Sequence, residues 1–370
     1  MFLILKDMIM NVRNILLVLT VILSLAACEK EIDIASVNIN NRITVNALIS
    51  PDTTIMVYLT ECDDLDYFGT IALRSDYTRY NTVHTTGITE NSLELLPYIL
   101  TKANVEVIVN NEKTYSLVYN PEYISYSCDY VPNPGDEIQI QATSMCKNSI
   151  EKKELSPIFA VTHVPSKPKI EIIETEVKYK EREYYEVEDF GANVLISDYY
   201  GSDTVMSIKM RIEDPGDERN FYCLKIRSVG AYTVSDGMGH VTTWHTWADM
   251  FSSGDELFYD SDLVKPYRFL PAYFSDVFED ELINGKEYEL TVETRLRRNS
   301  TVTPYVIVEL QHLSPDLYYS LKDIEIFRIS DFDLYDNPIQ IHTNVSGGWG
   351  VFSSMNFDTH IIPFETKRYE

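Results

Sequence analysis

Few residues in this chain stand in a pattern that does chemistry. There is no phosphate-cradling GxxxxGK[ST] run, no HExxH pair for zinc and no GxSxG nucleophile turn. Gly237-Met238-Gly239-His240-Val241-Thr242 starts like a dinucleotide loop, but the third glycine and the strand-helix-strand setting are missing. His240 and His245 lie in a Trp-rich, irregular stretch where their spacing is a weak metal signal. Asp331, Asp333 and Asp336 follow the start of a calcium loop without its central Gly or closing Glu, and read as solvated loop acids. Carboxylates are numerous, but no spacing selects a general acid or base. The sequence therefore offers no catalytic residue, no metal-ligand set and no cofactor, and the expectation is a protein that is not an enzyme.

Two other groups can engage a partner. The first is aromatic. Residues 230 to 259 hold Tyr232, Trp244 and Trp247 among Gly, Ser, Thr and Asp, and two of the three Trp of the chain lie here. Flat aromatic faces in a polar loop suit a binding platform, because they contact sugars, peptides or proteins at low entropy cost. The plainer reading is a loop that packs its own aromatics over the end of a sheet. Asp198-Tyr199-Tyr200-Gly201 is a smaller stretch of the same kind, so Tyr199 and Tyr200 join the candidates. The second group is a single thiol. Cys28 follows the thirteen-residue apolar run Ile15–Ala27, which Arg13 precedes. A basic start, a short apolar stretch and small residues before a cut site describe a secretory signal, and the run is too short to span a bilayer.

Leu25-Ala26-Ala27-Cys28 resembles the lipobox of bacterial lipoproteins. In that class the thiol is acylated and becomes the first residue of the mature protein, and several acyl chains hold it firmly on the membrane. Removal of residues 1–27 takes away Lys6, Arg13 and Asp7, one net positive charge, so the mature chain carries −27 against −26 for the whole. Glu29-Lys30-Glu31-Ile32-Asp33 then forms an acidic tether. It is similar to the signal that sends some lipoproteins of Bacteroidota-type bacteria to the cell exterior, or else a plain spacer.

Composition narrows the classes further. With 370 residues, 45 % hydrophobic, the chain suits about two globular domains. Lys+Arg number 31 against 57 Asp+Glu, which opposes a nucleic-acid partner and a broad dock on anionic lipid. Besides Cys28 there are Cys62, Cys128, Cys146 and Cys223. They allow disulfides in three pairings in an exported protein, although small buried hydrophobes with one bridge at most is the simpler reading.

The elements that must position these residues are mostly strands. Arg42–Leu48, Thr54–Thr60, Ala103–Val109, Thr114–Tyr119 and Glu137–Thr143 alternate or are β-branched, with Asn110-Asn111 and Pro132–Asp136 as turns. Residues 63–100 read as a long loop with a short helix near Leu93. Two prolines in Val164–Pro168 mark a domain boundary. Beyond it, Met206–Ile212 and Phe221–Val229 flank the turn Asp214–Asp217 and are expected to pair as a hairpin. Tyr288–Leu296 and Val302–Leu310 follow as strands. Ser314-Pro315-Asp316 caps a helix carrying Leu317, Leu321 and Ile324, and a second short helix is expected over Ala272–Leu282. The predicted fold is all-β. It has two antiparallel β-sandwich domains of immunoglobulin or fibronectin type, at 40–165 and 166–370, after the signal (1–27) and tether (28–39), with one or two short helices in the second.

In this order the chain resembles the Bacteroidota lipoprotein family catalogued as domain of unknown function 4249. The resemblance rests on Cys28–Asp33, Ile43–Ile49, Val161–Pro165, Phe278–Lys286, Asn337-Pro338 and Asn344–Phe352. It implies an outer-membrane lipoprotein, facing the cell exterior or the periplasm, that assists a TonB-dependent transporter, and it carries over no catalytic residue. A free-standing adhesin or structural lipoprotein is the alternative, with a glycan or peptide hydrolase behind it.

Overall fold

The computed structural model describes residues 42–62, 99–146, 153–189, 194–216, 218–235, 241–249, 251–259, 275–296, 305–329 and 341–364. At 62, 180–203, 231–249 and 327–329 it describes the backbone only. The expected loop over 63–100 with its helix near Leu93 lies outside these residues but for its last two.

The N-terminal strands follow the period-two pattern closely. They are β1 (Arg42–Ile49), β2 (Met56–Cys62), β3 (Asn104–Val109), β4 (Lys113–Asn120), β5 (Ser125–Ser127), β6 (Glu137–Thr143) and β7 (Ile158–His163). Alternate residues of β1, β3 and β6 are buried, as half-buried strands require. Asn110 and Asn111 both take positive φ, 54° and 57°, and the Glu112 N–H donates to the Val109 carbonyl, so a tight turn in a three-residue connection joins β3 to β4. The strands run in the order β1-β2-β5-β4-β3-β6-β7. The ring then closes on itself, because Phe159 of β7 bridges to Ser346 and Asn344 donates to the carbonyls of Val161 and Phe352. Inside lies one cluster that includes Ile43, Val45, Val57, Leu59, Val107, Ile140, Ile158 and Phe352.

The last strand, β16 (Trp349–Pro363), belongs to both halves of the chain. It runs parallel to β1 and antiparallel to β15 (Tyr305–Leu313). Gly350 sets the close approach to β1. Its φ is +93°, and a Cβ there would run into the Val45 carbonyl oxygen. A sheet of twelve strands therefore continues through β15 to β10 (Phe221–Ser235) and β11 (Val241–Asp249), with β13 (Val277–Glu279) on the side of β10. Four further strands form a second sheet in the order β12 (Phe251–Ser252), β14 (Glu287–Arg295), β9 (Val194–Glu213), β8 (Lys169–Asp189). The fold is all-β with one α-helix, α1 (Pro315–Ile329), among the described residues.

Three expectations change here. Met206–Ile212 and Phe221–Val229 do not pair. The first lies in β9, between β8 and β14, and the second in β10, beside β11, β13 and β15. Both present an apolar face, and the two faces meet across one core: Met206, Ile208, Met210 and Ile212 pack in the same cluster as Tyr222, Leu224 and Ile226. Alternation shows which side is buried but not whether the partner lies beside the strand or opposite it. The helix expected over Ala272–Leu282 is instead β13 followed by a 3₁₀ turn at Asp280–Leu282, because Phe221–Cys223 recruit Val277–Glu279 into the sheet. The aromatic loop is no loop either, as described below.

Helix α1 forms where Ser314-Pro315-Asp316 placed it. The Ser314 carbonyl accepts the Tyr318 N–H, and its hydroxyl accepts the Ser354 N–H, so the helix start is tied to β16. Its buried face centres on Tyr318, packed with Phe221, Cys223, Val277 and Leu313, and Leu317 and Leu321 flank it. Ile324 stays 37 % exposed, off that face. The segment Val164–Pro168 is pinned along its length. Pro165 and Ser166 carbonyls accept from Asn356 and His312, and Lys167 pairs with Asp358 at 2.9 Å.

Candidate functional site

Cys28 lies outside the described residues. The aromatic candidates do not lie in loops. Tyr232 is on β10 directly opposite Trp244 on β11, and Trp247 is opposite Val229, so the segment is a paired hairpin. Tyr199 and Tyr200 sit on β9 opposite Tyr184 and Glu183 of β8. Thr, Trp, Tyr and Val favour a pleated backbone, and here that preference outweighed the polar neighbours that suggested a loop. The register brings Tyr232 and Trp244 together. It places Tyr199 and Tyr200 in the other sheet, so the five do not form one group. His245 falls on β11 opposite Ala231, while His240, Asp331, Asp333 and Asp336 lie outside the described residues. No cluster of three metal-ligating side chains occurs among the described residues.

The cysteines follow the plainer reading where they are described. Cys128, Cys146 and Cys223 are free thiols. Cys146 is buried and donates to Glu61 Oε1 at 2.7 Å. Burial pushes the Cys223 thiol up to about 12, far from a reactive thiolate at neutral pH.

Sequence reasoning missed a buried polar network at the Asp214 turn. The Asp214 carboxylate accepts four hydrogen bonds: from Tyr222 Oη (2.7 Å), Asn220 Nδ2 (3.1 Å), Gly216 N (3.0 Å) and Gly285 N (2.9 Å). Asp280 accepts the Asn220 N–H at 2.8 Å, and burial raises its carboxyl above the usual range, with the Asp214 charge adding to the effect. His312 stacks beside Tyr222, ring centroids 5.1 Å apart, and its Nδ1 lies 3.0 Å from the Ser166 carbonyl. Burial holds its imidazole below the usual range, toward the neutral form. These groups could in principle exchange protons, but Asp214, Asp280 and His312 are each at most 7 % exposed. The Asp214 carboxylate is also saturated with donors. The network is a lock that joins the 214–216 and 284–285 turns, not a site that substrate reaches. Only Asp214-Pro215-Gly216 signalled it in sequence, and as a turn.

Two surface features can meet a partner. A shallow cleft of about 210 Å³ opens on β3, β6 and β7, lined by Phe159, Glu106, Gln141 and Thr143 among others. Gln141 Nε2 donates to Glu106 Oε2 at 2.7 Å. The volume is below the roughly 300 Å³ at which small-molecule pockets begin, so it admits only part of a ligand.

The second feature is the outer face of β16, β1, β2, β5 and β4. Register sets Trp349, Thr44 and Thr60 in one row, Val351, Asn46 and Tyr58 in the next, and Leu48 alongside Ser353. Met56, Ser127 and Val118 continue the face. Its outward positions include no Asp, Glu, Lys or His, and Arg42 stands at its margin with its guanidinium 5.2 Å from the Trp349 ring centroid. Leu48, Tyr58, Val118 and Trp349 are 47, 44, 73 and 39 % exposed. In a chain that is 24 % charged, these positions, the buried Ser353 aside, form a distinct surface patch without one charge. No motif revealed it, because its members come from five strands and from both ends of the chain.

The family model for a domain of unknown function (DUF4249) matches residues 29–361. No curated protein and no solved structure matches the chain. The match covers most of the chain, which therefore belongs to this family.

Proposed function

We propose that this DUF4249 protein is an outer-membrane lipoprotein, anchored through Cys28 and facing the cell exterior, that serves as a binding and accessory component of a TonB-dependent uptake system. The reading is carried by the apolar run that ends in Leu25-Ala26-Ala27-Cys28, the pattern that a lipidating enzyme requires. The acidic tether after Cys28 and the β-rich body with uncharged and aromatic surface support a role in binding rather than in catalysis.

The test is to isolate the chain from gently solubilised outer membranes, measure the mass of its N-terminal peptide, and identify what co-purifies. A Cys28→Ser form is the control. Acyl chains on Cys28 and a stoichiometric transporter, both lost in the control, are the expected result. An unmodified Cys28, or a lipidated chain without a transporter, would overturn the accessory role. The second outcome would leave a free-standing surface lipoprotein.

A further inference from the structure

We infer that the uncharged face centred on Leu48, Tyr58 and Trp349 is where the chain docks on a membrane-embedded protein. This inference rests on the accessory role proposed above and names that partner's docking surface. Cores of protein–protein interfaces are depleted of charged residues and enriched in aromatics, Met and Arg. This face has that composition, with Trp349, Tyr58 and Met56 on it and Arg42 stacked on Trp349. Trp, Tyr and Arg are also the residue types that dominate binding energy at such surfaces.

Among the described residues, the two stretches of this side of the sheet differ in their cover. Where the sheet continues through β15 and β10, α1 covers the same side of it with Leu317, Tyr318 and Leu321. Over β1 and β2 no described element does so, and Leu48 and Tyr58 remain nearly half exposed. Three arguments select the occupant. Two mature copies, each carrying −27, repel one another as they approach, so a second copy is disfavoured. The face interleaves Thr44, Asn46 and Thr60 with its apolar residues, which suits a partly polar protein surface rather than lipid chains. Finally, Arg42 at the margin of the face lies fourteen residues after Cys28, a span of about 50 Å at full extension. A lipid on Cys28 therefore keeps the face within reach of proteins seated in that membrane.

The experiment places a photoreactive phenylalanine analogue at position 48 or 58 of the full lipidated chain in intact cells, with the exposed position 159 on β7, outside the face, as control. Adducts from 48 and 58, absent from 159, that mass spectrometry identifies as an integral β-barrel outer-membrane protein are expected. Leu48→Glu is then expected to lower co-purification of that protein at least tenfold with an unchanged thermal midpoint, since Leu48 is nearly half exposed and lies outside the buried core. Adducts only to lipid, only to a second copy, or from 159 alone would overturn the inference. So would a partner that co-purifies equally with Leu48→Glu. If the unsubstituted lipidated chain brings down no β-barrel protein, the accessory role itself falls, and the docking surface with it.

Discussion

Replacing Asp214 with Ala tests the buried lock most directly. The substitution removes the acceptor of four hydrogen bonds, two from backbone N–H groups of separate turns and two from side chains on β10 and just before it. Tyr222 and Asn220 are 1 % exposed, so water cannot replace the lost partner without opening the structure. Asn220 Nδ2 keeps a second acceptor, the Glu218 carbonyl at 3.1 Å, which softens its loss. A buried donor left unsatisfied costs about 1–3 kcal/mol. With four donors losing one shared acceptor, each at a partial loss, the expected destabilisation is about 3–5 kcal/mol. That is a large share of the roughly 5–15 kcal/mol that holds a domain folded. Equilibrium urea unfolding, followed by far-UV circular dichroism on the chain with Cys28→Ser, reads the midpoint and slope. Tyr222→Phe removes only one of the four donors and leaves the Asp214 carboxylate in place, and should cost about 1 kcal/mol. A loss under about 1 kcal/mol for Asp214→Ala, or an equal loss in both variants, would refute the assignment of Asp214 as the centre of the lock.

Two more predictions follow from the same core. His312 is held neutral by burial, so its pKa in the folded state lies below the ordinary 6.5. The unfolded chain then binds the extra proton first as pH falls. The stability it contributes is complete above about 6.5 and is lost as pH drops through the lower, folded value. Asp280 acts in the opposite sense: its raised carboxyl makes stability fall as pH rises above 3.8. His312→Gln should therefore flatten the loss just below pH 6.5 in a pH series of unfolding midpoints, and an unchanged pH profile would exclude the effect. Cys223, with its thiol pushed up to about 12 by burial, should resist a thiol reagent at pH 8 in the native protein and react on unfolding. Peptide mapping of the labelled protein measures this, and rapid native labelling at Cys223 would contradict its burial.

The sequence alone fixed the local features whose cause is local. Asn110-Asn111 can occupy the left-handed region and so made the β3–β4 turn legible. The alternation in Glu137–Thr143 gave β6 residue for residue, and Ser314-Pro315-Asp316 gave the start of α1. The all-β class and the family were readable for the same reason, since many such local signals agree along the chain. What only the tertiary structure decided is non-local. Strands β9 and β10 carry apolar faces that suit equally a neighbour in the sheet or a partner across the core, and their packing in opposite layers settled which. Tyr232 and Trp244 are set opposite each other by hairpin register, which a polar-looking stretch did not announce. The buried lock unites residues 166, 214, 220, 280 and 312, and the uncharged face unites β1 with β16, about three hundred residues later. Sequence patterns report which way a side chain points along its own strand. Which strands lie next to one another depends on the closure of the whole sheet, and that closure created both the lock and the face.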